Sequence, residues 1–224
     1  MKHILNIFDM LKLSKEFYDY LEGKIEFDVQ GRPIFKKNYF LDEWPEQMVT
    51  WENRNSKYII NKKRTLICFY TKDVLIYPRI ANLLKEVGRY KEFLEVVQPD
   101  ITITYDMDIE LQNAIMIINQ LAMAVLAVNG IKVVVNTRTG KKETEYNFKN
   151  IPVNIMCSSG FLGCDKAKNL QDTAEYVDKI LTLRANKLVI YGKKDKKILE
   201  QLDTMGINYK GYDDFHTYSK RGNV

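Results

Sequence analysis

A chain of 224 residues with a net charge of +5 is long enough to bury one substantial core. Hydrophobic residues make up 46% of it and charged residues 28%, which excludes a disordered protein, and the modest charge excludes the dense positive surface of a dedicated DNA-binding domain. Three cysteines without paired spacing exclude a disulfide framework and a zinc knuckle, so we expect a reducing, cytoplasmic compartment.

The first 64 residues follow no single pattern. Apolar residues spaced through positions 4 to 13 predict an amphipathic helix, which charged residues interrupt too early for an export signal. Glycine and proline between positions 23 and 33 predict a turn-rich connector or a small hairpin. We therefore predict two parts, an N-terminal helix and irregular extension over residues 1–64 and an α/β domain over residues 65–224.

From residue 65 onward, short apolar runs alternate with longer helical stretches. The predicted strands are 65–70, 101–105, 132–136, 153–158 and 187–191, with a weaker one at 207–211. The predicted helices are 76–96, 108–129, 167–185 and 194–205. Several of the strands are apolar on both faces, which is typical of parallel strands covered by helices. The pattern predicts an α/β fold with a mostly parallel sheet of five to six strands and crossover helices, either doubly wound or an incomplete βα barrel.

The most apolar stretch of the chain, residues 109–131, is interrupted by polar side chains. Glu110, Gln112 and Asn119 are among them, and a lipid bilayer would leave these groups without hydrogen-bond partners. We therefore predict a helix that is buried inside the protein, and no membrane partner.

Acidic residues stand where the second predicted strand runs into this long helix. In parallel α/β folds, ligands bind at the carboxyl ends of the strands. Asp106 and Asp108 would lie there, where their carboxylates could ligate Mg²⁺ or Mn²⁺ or supply a catalytic base. The alternative is that one of the two aspartates caps the helix, while the other and Glu110 complement its dipole.

Other polar residues at the predicted strand ends suggest a site for a phosphate-bearing ligand. These candidates are Thr104, Arg138, Ser158, Ser159, Gly160 and Lys193. The serines and the glycine would let backbone N–H groups approach a phosphate, while the arginine and the lysine would bring positive charge. The alternatives are an ordinary loop that contains glycine and a solvated lysine at the start of a helix.

A separate basic run precedes the first predicted strand. Lys57, Lys62, Lys63 and Arg64 surround a tyrosine and would contact a nucleic-acid backbone, although such a run is also a common solubilising flank. The two histidines, His3 and His216, lie near the termini, which argues against a histidine-based triad or metal centre.

Motifs spread over residues 65–212 resemble a known family. They are Pro99-Asp100, Asp106-Met107, Gln112, Gly130-Ile131, Phe148, Ile151-Pro152, Gly160 and Tyr191-Gly192. The order and spacing are similar to those of a family catalogued as a domain of unknown function, number 4417, common in bacterial phages and mobile elements. Three positions depart from that pattern: Thr102 replaces a serine, Asp108 replaces a proline, and aliphatic residues follow Gln112 in place of polar ones. The resemblance implies an α/β fold and a phage or mobile-element origin, and it supplies no activity.

Three functional hypotheses follow, and whether the protein is an enzyme stays open. The first is a phage or mobile-element accessory protein, in the host cytoplasm, that acts as a scaffold towards a host or defence factor or a phosphate-bearing ligand. The second is a metal-dependent phosphodiesterase or nuclease built on Asp106, Asp108, Arg138 and the loop at 158–160, the only hypothesis that calls for a cofactor, Mg²⁺ or Mn²⁺. The third is nucleic-acid binding through the basic run at 57–64. A homodimer is compatible with all three, because both tryptophans lie where no regular core is predicted.

Overall fold

The computed structural model describes residues 6–160, 170–192 and 195–221, and in these ranges it shows one parallel sheet. The strands are β1 (Gln47–Thr50), β2 (Thr65–Cys68), β3 (Glu95–Val97), β4 (Val133–Asn136), β5 (Met156–Gly160), β6 (Lys187–Tyr191) and β7 (Tyr209–Tyr212). Each strand pairs in parallel with the next one along the chain. The predicted α/β fold is therefore confirmed, with seven strands in place of five to six. Because the strand order never reverses, the architecture is barrel-like and not doubly wound.

Seven helices are described, and residues of the first six share a buried cluster with residues of the sheet. The helices are α1 (Ile7–Leu21), α2 (Asp73–Ala81), α3 (Leu83–Tyr90), α4 (Ile109–Val128), α5 (Leu170–Leu183), α6 (Lys196–Thr204) and α7 (Phe215–Arg221). Short 3₁₀ segments lie at Lys37–Tyr39, Trp51–Asn53, Lys62–Arg64 and Lys142–Asn150. The predicted helices at 167–185 and 194–205 correspond to α5 and α6, although residues 167–169 and 194 lie outside the described ranges.

The region between β2 and α4 differs most from the prediction. The predicted helix at 76–96 is two helices that separate at Asn82, followed by β3, whose three residues are too few to give an alternating pattern. The predicted strand at 101–105 is wrong, because the chain has already left the sheet there. Ile101 and Ile103 are buried nonetheless, since they pack into the core between the sheet and the helices.

Side chains from all seven strands meet in a single buried cluster. Its members are Leu41, Met48, Leu66, Cys68, Tyr70, Val97, Val134, Met156, Val189, Tyr191 and Tyr212. None of them belongs to a helix, whereas the alternate strand residues, such as Ile67 and Val135, pack against the helices in a second and larger cluster. A flat sheet would not bring its first and last strands into one cluster, so the sheet curls into an incomplete barrel with a filled interior.

The barrel is closed by side chains where its first and last strands face each other. β1 and β7 are the two ends of the sheet order. The Tyr212 hydroxyl donates to the Pro45 carbonyl at 2.8 Å, and Lys210 Nζ lies 3.3 Å from the same oxygen. Contacts of this kind hold the seam without a strand-to-strand ladder.

Elements from the first 64 residues pack on elements that follow them. β1 pairs with β2, and α1 packs on α4, where Asn129 Nδ2 donates to the Tyr20 hydroxyl at 2.9 Å. The division of the chain at residue 64 stays a prediction. α4 is long and apolar enough to cross a membrane, and most of its side chains are buried inside the protein, among them Gln112 and Gln120.

Candidate functional site

Five polar side chains converge where the central strands end. They are Tyr70 after β2, Asp100 after β3, Asn136 and Arg138 at the end of β4, and Ser158 in β5, and they are called the strand-end cluster below. The carboxyl ends of parallel strands lie at the same edge of a sheet, so residues as far apart in the sequence as 70 and 158 come into contact. The cluster therefore occupies the face where barrels of this kind hold their ligands.

An ion pair joins the two charged members of the cluster. Arg138 Nε lies 2.6 Å from Asp100 Oδ1, and Asn136 Nδ2 donates to the same oxygen at 2.6 Å. The Asp100 side chain is 6% exposed, while that of Arg138 is 21% exposed. The guanidinium thus lies between the buried carboxyl and solvent.

The other half of the cluster is held by an aromatic ring. The Tyr70 hydroxyl donates to Ser158 Oγ at 2.8 Å, and its ring stacks on that of Tyr191 at a centroid distance of 5.9 Å. Gly160 lies against the same ring, since a Cβ at that position would stand 2.4 Å from Tyr70 Cδ1. Only glycine leaves room for Tyr70 to reach Ser158.

Gln112, near the start of α4, ties the loops that carry the ion pair to each other. Its Nε2 donates to the Met107 carbonyl in the loop after β3, and its Oε1 accepts from the Lys141 backbone N–H in the loop after β4, each at 2.8 Å. Gly140 allows this contact, because a Cβ there would stand 1.8 Å from Gln112 Oε1. The loops that bear Asp100 and Arg138 are therefore fixed by one side chain.

Burial changes the acidity of Asp100. It raises the pKa of this carboxyl to about 6, while Arg138 and the Asn136 amide oppose the shift and the charge of Asp73 adds to it. A carboxyl with a pKa in this range can take up or release a proton near neutral pH. The cluster thus combines a fixed positive group with a group able to exchange protons.

The structure brings some of the predicted site residues together and separates others. Arg138 and Ser158 belong to the strand-end cluster, and Ser159 and Gly160 follow on β5. Thr104 is exposed in a turn, where its carbonyl accepts from the Met107 N–H. His3 and Lys193 lie outside the described residues.

Asp108 acts as the cap of α4. Its Oδ1 accepts a hydrogen bond from the Glu110 backbone N–H at 2.8 Å, as the capping alternative requires. Asp106 is exposed, and a hydrogen bond from the Thr104 side chain lowers the pKa of its carboxyl. Within the described ranges, no group of three or more His, Cys, Asp or Glu side chains is placed to hold a metal ion. Metal binding or catalysis by these two aspartates stays a prediction.

We expect Asp108→Ala to lower the free energy of unfolding by about 1 kcal/mol, because it removes the oxygen that caps the first turn of α4. Urea denaturation of the variant and of the wild type measures this difference. Asp106→Ala is the matched control and should leave stability nearly unchanged. Equal stability of Asp108→Ala and the wild type would show that the cap contributes nothing.

The basic run lies away from the strand-end cluster. Lys62, Lys63 and Arg64 precede β2, so they lie at the opposite end of the strands. Lys62 pairs with Glu92 at 2.7 Å, and Arg64 pairs with Glu46 at 3.0 Å. Lys63 Nζ donates to a backbone carbonyl, and Lys57 lies 5.3 Å from the Tyr58 ring. Contact of these residues with nucleic acid stays a prediction.

Sequence reasoning did not select Asp100, Tyr70 or Asn136 as binding residues. All three stand at or just beyond strand ends, and Asp100 also belongs to the Pro99-Asp100 motif that carries the family resemblance.

A surface cavity of about 280 Å³ lies away from the strand-end cluster, beside residues 23–39. The cluster is thus identified by side-chain chemistry and position, not by cavity size.

Comparison with known proteins gave a single finding. A family model described as "Domain of unknown function (DUF4417)" matches residues 30–210, which is most of the chain. Searches of curated proteins and of solved structures gave no match. Four residues that carry the resemblance, Asp100, Gln112, Gly160 and Tyr191, contact or support the strand-end cluster.

Proposed function

The chain belongs to the DUF4417 family, and we propose that it binds a small phosphate-bearing ligand at the strand-end cluster. Arg138 is the residue that carries this proposal. Its guanidinium is held beside a buried carboxylate at the ligand-facing end of the barrel and is partly exposed to solvent. Arginine is well suited to tetrahedral anions, because its planar group donates in a fixed fork.

The contact with Asp100 orients the guanidinium in a useful way. The carboxylate lies against Nε, whereas an end-on phosphate contact uses the two Nη groups. A guanidinium fixed in this way loses little conformational entropy when an anion arrives.

The energetic cost of the cluster also supports a binding role. A buried ion pair is often no more stabilising than apolar side chains of similar volume, because desolvation offsets the attraction between the charges. The neighbouring interior positions are occupied by Val97, Val134 and Met156, which shows that this barrel can be filled with apolar side chains. A charged pair at the strand ends is therefore better explained by a ligand than by folding.

The family resemblance suggests the biological setting of this binding. We propose that the protein is a phage or mobile-element accessory protein that acts in the host cytoplasm. Binding of a phosphate-bearing ligand would then serve an encounter with a host or defence factor. A pull-down from infected host extract, with and without an added nucleotide, tests for a partner of this kind.

Titration calorimetry with inorganic phosphate, pyrophosphate and nucleotides tests the proposed ligand class. We expect saturable binding of at least one of them, and an affinity at least about tenfold lower in Arg138→Lys, because the loss of a bidentate contact costs on the order of 1.4 kcal/mol or more. Arg64→Lys is the matched control, since this residue lies at the opposite end of the barrel and pairs with exposed glutamates. Equal loss of affinity in both variants, or no saturable binding to the wild type, would contradict the proposal.

A further inference from the structure

We infer that anion binding at Arg138 is coupled to the uptake of a proton by Asp100, so that the site binds an anion and a proton together. This inference rests on the proposed function and concerns the regulation of the same site. It follows from the way in which the polar partners of the Asp100 carboxyl are arranged around it in the described part of the chain.

The Asp100 carboxylate depends on Arg138 for its counter-charge. Both of its polar contacts, to Arg138 Nε and to Asn136 Nδ2, are made through Oδ1 in the part of the chain that the structure describes. Arg138 is the one cation among these two partners, and it is also the residue that an incoming anion meets first, because it is the more exposed. An anion and Asp100 therefore share one guanidinium.

Two other titratable groups near Asp100 in the described part of the chain do not replace that counter-charge. Asp73, at the start of α2, is negative and raises the pKa of Asp100 through its charge. Its own oxygens accept hydrogen bonds from Thr102 and from the Tyr77 hydroxyl, which fixes it in place. Cys68, whose thiol lies inside the barrel, has a pKa that burial raises far above the ordinary value, so it remains neutral. An anion that binds Arg138 therefore places a second negative charge beside the buried Asp100 carboxylate.

The expected response is protonation of Asp100. Burial already raises the pKa of this carboxyl to about 6, only about one unit below neutral pH, so a further rise caused by the anion would cross pH 7. The proton comes from solvent and adds to a carboxylate oxygen, and no covalent bond of the ligand changes. The anion keeps Arg138, and neutral Asp100 avoids the electrostatic penalty.

Titration calorimetry with sulfate tests this coupling. Sulfate is a tetrahedral anion that does not titrate between pH 5 and pH 8, so every proton exchanged belongs to the protein. Measurements at pH 7 in buffers with different ionisation enthalpies give the number of protons taken up on binding. We expect an uptake above zero and at most one proton for the wild type, and none for Asp100→Asn, which keeps the size of the side chain but does not titrate.

The sulfate titrations separate the coupling from the binding itself. Sulfate binding without proton uptake would overturn the coupling and leave the proposed function in place, whereas absence of binding would overturn both. An uptake that persists in Asp100→Asn would assign the proton to another group and also overturn the inference. If Asp100→Asn does not fold, Asp73→Asn is the deciding variant. We expect it to take up a proton on sulfate binding as the wild type does. The pH dependence of this uptake should move to lower pH, because a negative charge near Asp100 is removed. An unmoved profile would contradict the coupling.

Discussion

Replacing Gly160 with alanine is expected to lower the free energy of unfolding by roughly 3 kcal/mol, the size of an overpacked core together with a lost buried hydrogen bond. The added Cβ would stand 2.4 Å from Tyr70 Cδ1 and 2.5 Å from Cγ, a separation that real structures do not show. Tyr70 is only 2% exposed and is stacked on Tyr191, so its ring has little space in which to move. Displacement of the ring would also break the hydrogen bond to Ser158, so anion binding should weaken in the same variant.

Chemical denaturation together with sulfate titration measures both effects of Gly160→Ala. Gly88→Ala is a control with the opposite expected sign, because Gly88 lies in α3 and a Cβ there meets no heavy atom within 4 Å. Alanine should stabilise that helix by about 0.5 to 1 kcal/mol. Wild-type stability in Gly160→Ala would show that Tyr70 does not occupy the position described above.

Replacing Glu95 with glutamine is expected to stabilise the protein at neutral pH by about 3 kcal/mol. Glu95 opens β3 on the same side as Val97 and faces the barrel interior. It is 3% exposed, and its Oε2 has no hydrogen-bond partner among the residues that the structure describes. Burial raises the pKa of this carboxyl to about 9, which the nearby Lys132 only partly opposes. Glutamine has a similar shape and does not ionise in either state.

The sign of this effect depends on pH. Below about pH 4.5 the carboxyl is protonated in both the folded and the unfolded chain, so Glu95→Gln and the wild type should differ little. Between that pH and about 9, the folded protein holds the proton that the unfolded chain has released, so wild-type stability falls by about 1.4 kcal/mol per unit. The advantage of the variant should therefore grow as pH rises through neutrality and level off above pH 9.

Urea denaturation of both proteins at pH 5, 7 and 8.5 measures this trend. Glu92→Gln is the control three residues away, because Glu92 is exposed and its ion pair with Lys62 lowers its pKa. It should show no gain that increases with pH. Parallel stability curves for the wild type and Glu95→Gln would mean that Glu95 is not held as a neutral acid.

The elements that were predicted correctly are those with strong periodic or compositional signals. β2, β4 and β6 are apolar runs, and α4 is a long apolar helix closed by a glycine. β1 escaped prediction because it lies among residues that follow no single pattern, and β3 because it has only three residues; the pairing of both depends on neighbours distant in the chain. Local sequence carries little information about such short strands, whose stability comes from tertiary pairing.

For the candidate site, too, the residues that a general principle points to were predicted, and those that depend on distant contacts were missed. The principle that ligands bind at strand ends directed attention to Arg138 and Ser158, and both belong to the cluster. Asp100 was missed because the strand was predicted six residues too late, at 101–105, which placed the strand end at Asp106 and Asp108. The contact between Gly160 and Tyr70 joins residues 90 positions apart, and no local pattern indicates it.

The carboxyl end of the barrel is expected to bind anions through Arg138. The most direct measurement is an NMR titration of the arginine side-chain Nε–H signals with sulfate, in which Arg138→Lys identifies the signal of that residue. We predict a saturable shift of the Arg138 signal that follows the same binding curve as calorimetry. Saturable binding that leaves this signal in place and shifts arginines at the opposite end of the barrel, such as Arg64, would contradict the account.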